Sequence, residues 1–301
     1  MSDLEKRTDL ALEAKELWEE TAGETTELPG VMAKETIHKG MKTTLVKILD
    51  ERGERELHKP VGTYLTIEIT PFNRKERNSF QRAAEHLGKQ LGTLLDLRKD
   101  STVLVVGLGN SDITPDAIGP KALEHLLITR HLVEQMPSYF TDYRSVSAIS
   151  PGVLGITGLE SAEIVRGVAD RAKPDCMIVV DALASRSLER ICTTIQLADT
   201  GITPGSGIRN AREAFTQERF GIPVIAVGVP TVVDVETLIQ DYAGDSVSEE
   251  RIQELCGGQT MIVTPRDIDA KVEQIAKLVG YGINLAVHHG LDLEDISYFV
   301  E

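Results

Sequence analysis

Cysteine is scarce in this chain and never clustered. Cys176, Cys192 and Cys256 are odd in number, far apart and never in a CxxC pair, which leaves no basis for a disulfide framework or a zinc site. A reducing, cytoplasmic setting is expected. Positive charge is also short, with 32 Lys and Arg against 47 Asp and Glu and a formal net charge of -15. Such a balance disfavours a sequence-independent grip on nucleic-acid phosphates or anionic membrane, so direct nucleic-acid binding is not expected. No apolar run is long enough to span a bilayer, and the stretch MSDLEKRTDLALEAKELWEE is charged throughout; neither a membrane span nor an export signal is read. Also missing are a Walker P-loop, HExxH and GxSxG, and the seven histidines are scattered. Metalloprotease and serine hydrolase readings therefore lack their spacing, and no metal or cofactor is expected.

What is present fits an ordinary globular protein, since 301 residues with 41% hydrophobic content can bury roughly three quarters of their unfolded surface. Leu10, Leu12, Ala14, Leu17 and Trp18 recur at helical spacing and precede the breaker-rich TAGETTELPG, so the N-terminus reads as a helical appendage. TTLVKILD and TYLTIEIT read as strands around the charged turn ERGERELHK. After a helix over Asn78 to Arg98, six strand candidates follow: STVLVVGL, YRSVSAIS, CMIVVDAL, ICTTIQLA, IPVIAVGV and TMIVTP. Helical patterns lie between several of them, at Asp116 to Val133, Gly158 to Ala172 and Val233 to Tyr242, and after the last, at Asp267 to Val287. Continuous apolar strands joined by helices predict a mostly parallel twisted α/β sheet flanked by helices, with a β-rich N-terminal elaboration. No repeat or linker divides residues 1–301, so one domain is expected.

VLVVGLGNSDITPDAIGP opens like a dinucleotide-binding turn, but the third glycine of that fingerprint is Asp112. A carboxylate there repels the phosphate that the following helix should receive. The chain offers instead two similarly placed aspartates, Asp116 after Thr114-Pro115 and Asp181 in MIVVDALASR. Both fall at C-terminal ends of predicted parallel strands, the edge where open α/β sheets place ligands. Two carboxylates facing one crevice tend to hold a single proton and can act as base and acid on an attacking water. Taken singly, each aspartate is equally a helix cap. Asp234 reads mainly as a helix start. The triplet Asp199-Thr200-Gly201 matches pepsin-like proteases, but those enzymes use two such triplets on β-rich lobes; its glycine-rich loop is read as either a site-shaping loop or a surface connection.

GLGNSDITPDAIGP, VSAISPGVLGITGLES, VVDALASRSLERICTTIQLADTGITPGSG and IPVIAVGVPTVVD, in this order, closely resemble the germination protease of spore-forming bacteria. The similarity runs from about Thr8 to the C-terminus. The resemblance implies an aspartic-type endopeptidase unrelated to pepsin, with Asp116 and Asp181 as its essential pair and a fold like that of hydrogenase-maturation proteases. It implies small acid-soluble, DNA-protecting spore proteins as substrates, a location in the forespore and spore core, and a homotetramer. It also implies a zymogen: Thr8-Asp9-Leu10-Ala11 resembles the family's cleavage sequence, so residues 1–9 are expected to be a removable pro-segment cut between Asp9 and Leu10. Gly109, Asn110, Glu160, Arg186 and Asp199 stand in the resembling motifs at predicted strand ends or turns and are candidate pocket residues, with backbone N–H groups near Gly109 and Asn110 as oxyanion donors. DYAGDSVSEERIQELCGGQ is short where longer members carry an insertion, which bears on subunit packing. Two other readings stay open: a maturation peptidase that trims a metalloenzyme precursor, and a binding module that holds spore proteins without cutting them.

Overall fold

Strand β6 (Cys176–Ser185) is the apolar run CMIVV continued through Asp181, and β8 (Val224–Asp234) is buried along its whole length. Side chains of that kind need cover on both faces, which only the middle of a helix-flanked sheet supplies. The computed structural model describes residues 8–21, 28–208, 212–243, 247, 249–257 and 261–300. Around β6 and β8 it assembles β1 (Val31–His38), β2 (Met41–Ile48), β3 (Gly62–Glu68), β4 (Thr102–Gly107), β5 (Ser145–Ile149), β7 (Thr194–Ala198) and β9 (Ile262–Val263). The spatial order is β1-β2-β3-β7-β8-β6-β4-β5, with β9 on the far end of β8.

The α/β class holds, and the parallel pairings are confined to β5, β4, β6 and β8. From β8 outward, β7, β3, β2 and β1 pair antiparallel, as does β9. The expectation of a mostly parallel sheet is thus corrected to a mixed one, and the N-terminal β elaboration is a continuation of the same sheet through β7. The cause is the link from β6 to β7, a single 3₁₀ turn at Leu188–Arg190. A parallel return needs a crossover of a dozen residues or more, so a link this short reverses the strand.

One face of the sheet packs Val105, Ile178, Val180 and Val227 against helices α3 (Ser79–Leu94) and α7 (Ile268–Val287). The other face carries α5 (Ser161–Ala172) over Val106, Met177 and Val179 at one end. At its other end α1 (Ala11–Thr21) lies over Val46, Ile48 and Tyr64. The N-terminal appendage is therefore docked: Leu10 and Ala11 are fully buried. The charged turn before β3 contains the helix α2 (Glu51–Leu57), capped by Asp50 accepting from the Arg52 N–H. The long helix expected from Asp116 ends early, as α4 (Ile118–Leu123). Asn284 of α7 accounts for the break, because its buried amide takes the Leu127 N–H and donates to the His125 carbonyl, at 2.9 Å each. In the chain order, α6 (Val235–Ala243) follows β8 directly.

Candidate active site

Strand β4 stops at Gly107, opposite Val180, while β6 and β8 stay paired as far as Ser185 and Val233. Asp181 is therefore inside a strand and not at its end, but it is the first residue of β6 beyond its β4 neighbour. Its side chain, like those of Met177 and Val179, points to the α5 side of the sheet, since strand residues alternate faces. The Val180 carbonyl accepts the Leu108 N–H at 2.8 Å, so the same edge of Ala182 and Ala184 is left without a strand partner from β4. The Ala182 N–H on this edge donates to Asp181 Oδ1 at 2.9 Å.

Asp116 reaches the same place by a turn. Gly109 has φ +112°, a conformation that side chains rarely adopt, and a Cβ there would collide with the Asp116 carbonyl oxygen. The tight loop that follows aims the Asn110 N–H at Asp116 Oδ2, 2.8 Å away. Asp116 closes the 3₁₀ turn Thr114–Asp116 and caps no helix; the Asn110 N–H is occupied by this bond and is not a vacant oxyanion donor. The glycine turn that resembles a nucleotide site thus serves to hold a carboxylate.

Asp116 and Asp181 line one cavity of about 390 Å³, together with Gly109, Asn110 and Glu160. Burial raises the proton affinity of both aspartates above the ordinary carboxyl value near 3.8. For Asp181, only 4% exposed, the rise is large, and the charges of Asp116 and Asp9 add to it. For Asp116 the Asn110 hydrogen bond opposes the rise by stabilising the ionised form. The two carboxyls are therefore unequal in setting: burial and two neighbouring charges raise Asp181, while at Asp116 the Asn110 N–H works against the effect of burial. Among the described residues no three His, Cys, Asp or Glu side chains gather in a metal-binding group.

Glu160 sits at the N-cap of α5 with Arg212 at 3.8 Å. Arg186 and Asp199 do not line this cavity. Arg186 pairs with Asp241 at 2.7 Å and Glu20 at 3.0 Å, fixing α1 to α6. Asp199, just past β7, accepts the Thr63 N–H at 2.7 Å and ties that strand to β3. Two lining residues escaped the sequence as parts of the pocket. Thr231 lies where the β6–β8 register shifts between Leu183 and Ala184, and its buried hydroxyl has no hydrogen-bond partner among the described residues. The Pro230-Thr231 pair was the available signal, because a proline inside a strand marks a bulge. The other is Asp9, recognised in the sequence only as a cutting point and here a wall of the cavity.

A model of peptidase family A25 matches residues 11–248, which makes the chain a peptidase, a hydrolase of peptide bonds. The description of that model is germination protease, and the chain belongs to the germination protease family. It is 47% identical to the germination protease of Caldanaerobacter subterraneus subsp. tengcongensis, over 97% of each chain. It is 42% identical to that of Clostridium tetani, over 98% of this chain and 99% of the relative. Among solved structures, a [NiFe] hydrogenase maturation protease from Thermococcus kodakarensis KOD1 overlaps 64% of this chain and 98% of its own, at 17% identity and a TM-score of 0.35. Among the described residues no helix is long and apolar enough to cross a membrane.

Proposed function

We propose that this protease is an aspartic-type endopeptidase that cuts small acid-soluble spore proteins, with Asp116 and Asp181 as its proton-handling pair. The observation that carries the reading is the pair itself: two carboxyls with unequal, raised proton affinities on one cavity, in a chain of a peptidase family. Asp116, ionised more readily, takes a proton from the attacking water. Asp181, protonated, donates first to the carbonyl oxygen. As the C–N bond breaks, the proton taken up by Asp116 passes to the leaving nitrogen, the proton lent to the carbonyl oxygen returns to Asp181, and the new C–O bond leaves a carboxyl product. Thr231 and Glu160 line the same cavity.

The chain is made, in this reading, as a one-domain precursor over residues 1–301 that cuts itself between Asp9 and Leu10. Residues 1–7 of the pro-segment lie outside the described residues. Support comes from Asp9, which stands in the cavity with the aspartate pair. The family resemblance supports a homotetramer acting in the forespore and spore core, and the net charge of -15 argues against direct contact to nucleic acid. Incubation of a small acid-soluble spore protein with the chain and with Asp116→Asn and Asp181→Asn forms, followed by mass spectrometry, tests the proposal. A discrete cut lost in both folded variants is expected; a cut that survives either substitution removes that aspartate from the mechanism.

A further inference from the structure

The segment that crosses the cavity is held in a way the docking of α1 does not require. The Asp9 N–H donates to the Ala184 carbonyl at 3.0 Å, so residue 9 adds to the edge of β6 that β4 leaves open. Its carboxylate is received by two donors, the Ala184 N–H on Oδ2 at 2.8 Å and the Ser206 hydroxyl on Oδ1 at 2.7 Å. Room for it depends on Gly207, where a Cβ would stand 2.8 Å from both Asp9 Cγ and the Ala184 Cβ. The Lys59 ammonium donates to the preceding carbonyl, that of Thr8, at 3.0 Å, and supplies the positive charge nearby.

The next peptide group is gripped as well. Gln196 of β7, 7% exposed, donates through Nε2 to the Asp9 carbonyl at 3.1 Å and accepts the Ala11 N–H on Oε1 at 2.8 Å. One side-chain amide thus holds the carbonyl of the Asp9–Leu10 peptide and the N–H of the peptide after it, on either side of Leu10. Gln196 is opposite Gly228, and Gly228 is opposite Asp181. Residues in one row of a sheet share a face, so Gln196 and Asp181 rise on the same side, two strand spacings or about 10 Å apart. An acidic side chain in a two-donor cradle and a peptide carbonyl held by a buried amide, over the sheet face from which Asp181 also rises, are what a bound substrate presents.

We infer that the Asp9 cradle is the subsite for an acidic residue immediately before the cleaved bond of a substrate, with Ser206 determining that specificity and Gln196 positioning the carbonyl to be attacked. The inference rests on the peptidase reading above. In the intact chain Asp9 occupies the subsite, so the pro-segment and a substrate compete for one place.

The test uses the full chain and follows appearance of the Leu10 N-terminus by mass spectrometry, alone and with a small acid-soluble spore protein added to the same preparation. Ser206→Ala is combined with Asp9→Leu in a double-mutant cycle, folding being checked by thermal melting. Loss of a hydrogen bond to a charged group is expected to slow cutting after Asp9 by about tenfold to a hundredfold. In the Asp9→Leu chain, cutting at the same position is expected to be slower from the outset and nearly unchanged by Ser206→Ala. Equal slowing in both backgrounds, or cutting indifferent to residue 9, overturns the subsite. Gln196→Met is expected to lower kcat on the spore protein by about a hundredfold at nearly unchanged KM; a change in KM alone overturns the positioning role. If the spore protein is cut while the Asp9–Leu10 bond is not, the subsite fails and the peptidase reading stands. If neither is cut, the peptidase reading fails and takes the inference with it.

Discussion

Asp181→Asn is expected to make the protein more stable at neutral pH. The reason is the site of burial. Asp181 is 4% exposed, accepts one hydrogen bond at 2.9 Å from its neighbour's N–H, and feels the charges of Asp116 and Asp9. Its proton affinity is raised in the folded chain well above the ordinary value near 3.8. Below that ordinary value both folded and unfolded chains hold the proton, and the substitution changes little. As pH rises through it, the unfolded chain ionises first and is favoured, so the wild type loses stability until the folded Asp181 also ionises. Asparagine keeps the acceptor for the Ala182 N–H and cannot ionise. A buried, incompletely partnered group of this kind costs about 1–3 kcal/mol, so the variant should gain that amount at pH 7 and almost none near pH 3.8. Urea unfolding of both proteins across the range from about pH 4 to about pH 8 measures it. Asp116→Asn removes one source of the repulsion, so the two gains should be less than additive. A stability difference that does not grow with pH, or a loss at pH 7, would refute the assignment of Asp181 as the proton-holding carboxyl.

Gly109→Ala places a side chain at φ +112° and against the Asp116 carbonyl, which is expected to cost about 1–3 kcal/mol in strain alone and to displace Asp116. Melting temperature and substrate cutting should fall together, whereas Gly155→Ala, on the same cavity with nothing within 4 Å of the new methyl, should change stability by less than about 0.5 kcal/mol. Glu13, 1% exposed, accepts the Arg186 N–H at 2.7 Å and the Ser187 N–H at 3.1 Å and pairs with Arg190 at 3.2 Å. Glu13→Ala is expected to weaken docking of α1 by about 1–3 kcal/mol, read as faster tryptic cutting at Lys15; unchanged cutting there would mean that α1 is held by its apolar face alone.

Much of this arrangement was legible in the sequence because it rests on local patterns. Runs such as CMIVV and PVIAV announce buried strands, and GLGN followed by TPD announces a turn that carries a carboxylate. Strand direction was harder, because β7 reads like any other apolar strand; only the shortness of the link before it, SRSLERICT, holds the signal that it runs backwards. The edge that receives Asp9 is hidden for a different reason. It exists because β4 ends before β6 does, and unequal strand lengths emerge only when strands are paired. Arg186 and Asp199 were drawn to the pocket by their position in motifs, yet a motif spans both sides of a strand end, and these two fall on the structural side. Gln196 and Ser206 stand inside the motif VVDALASRSLERICTTIQLADTGITPGSG, yet nothing in it marks them: their placement comes from two strands and a loop that only the sheet brings together.

The pH dependence of kcat/KM for cutting a small acid-soluble spore protein tests the aspartate pair most directly. The paired carboxyls should give a bell-shaped profile whose two limbs belong to the pair and not to either residue, with the rate collapsing in Asp116→Asn and in Asp181→Asn. A profile with one limb only, or one that keeps its shape and height in either variant, would contradict the pair as the source of catalysis.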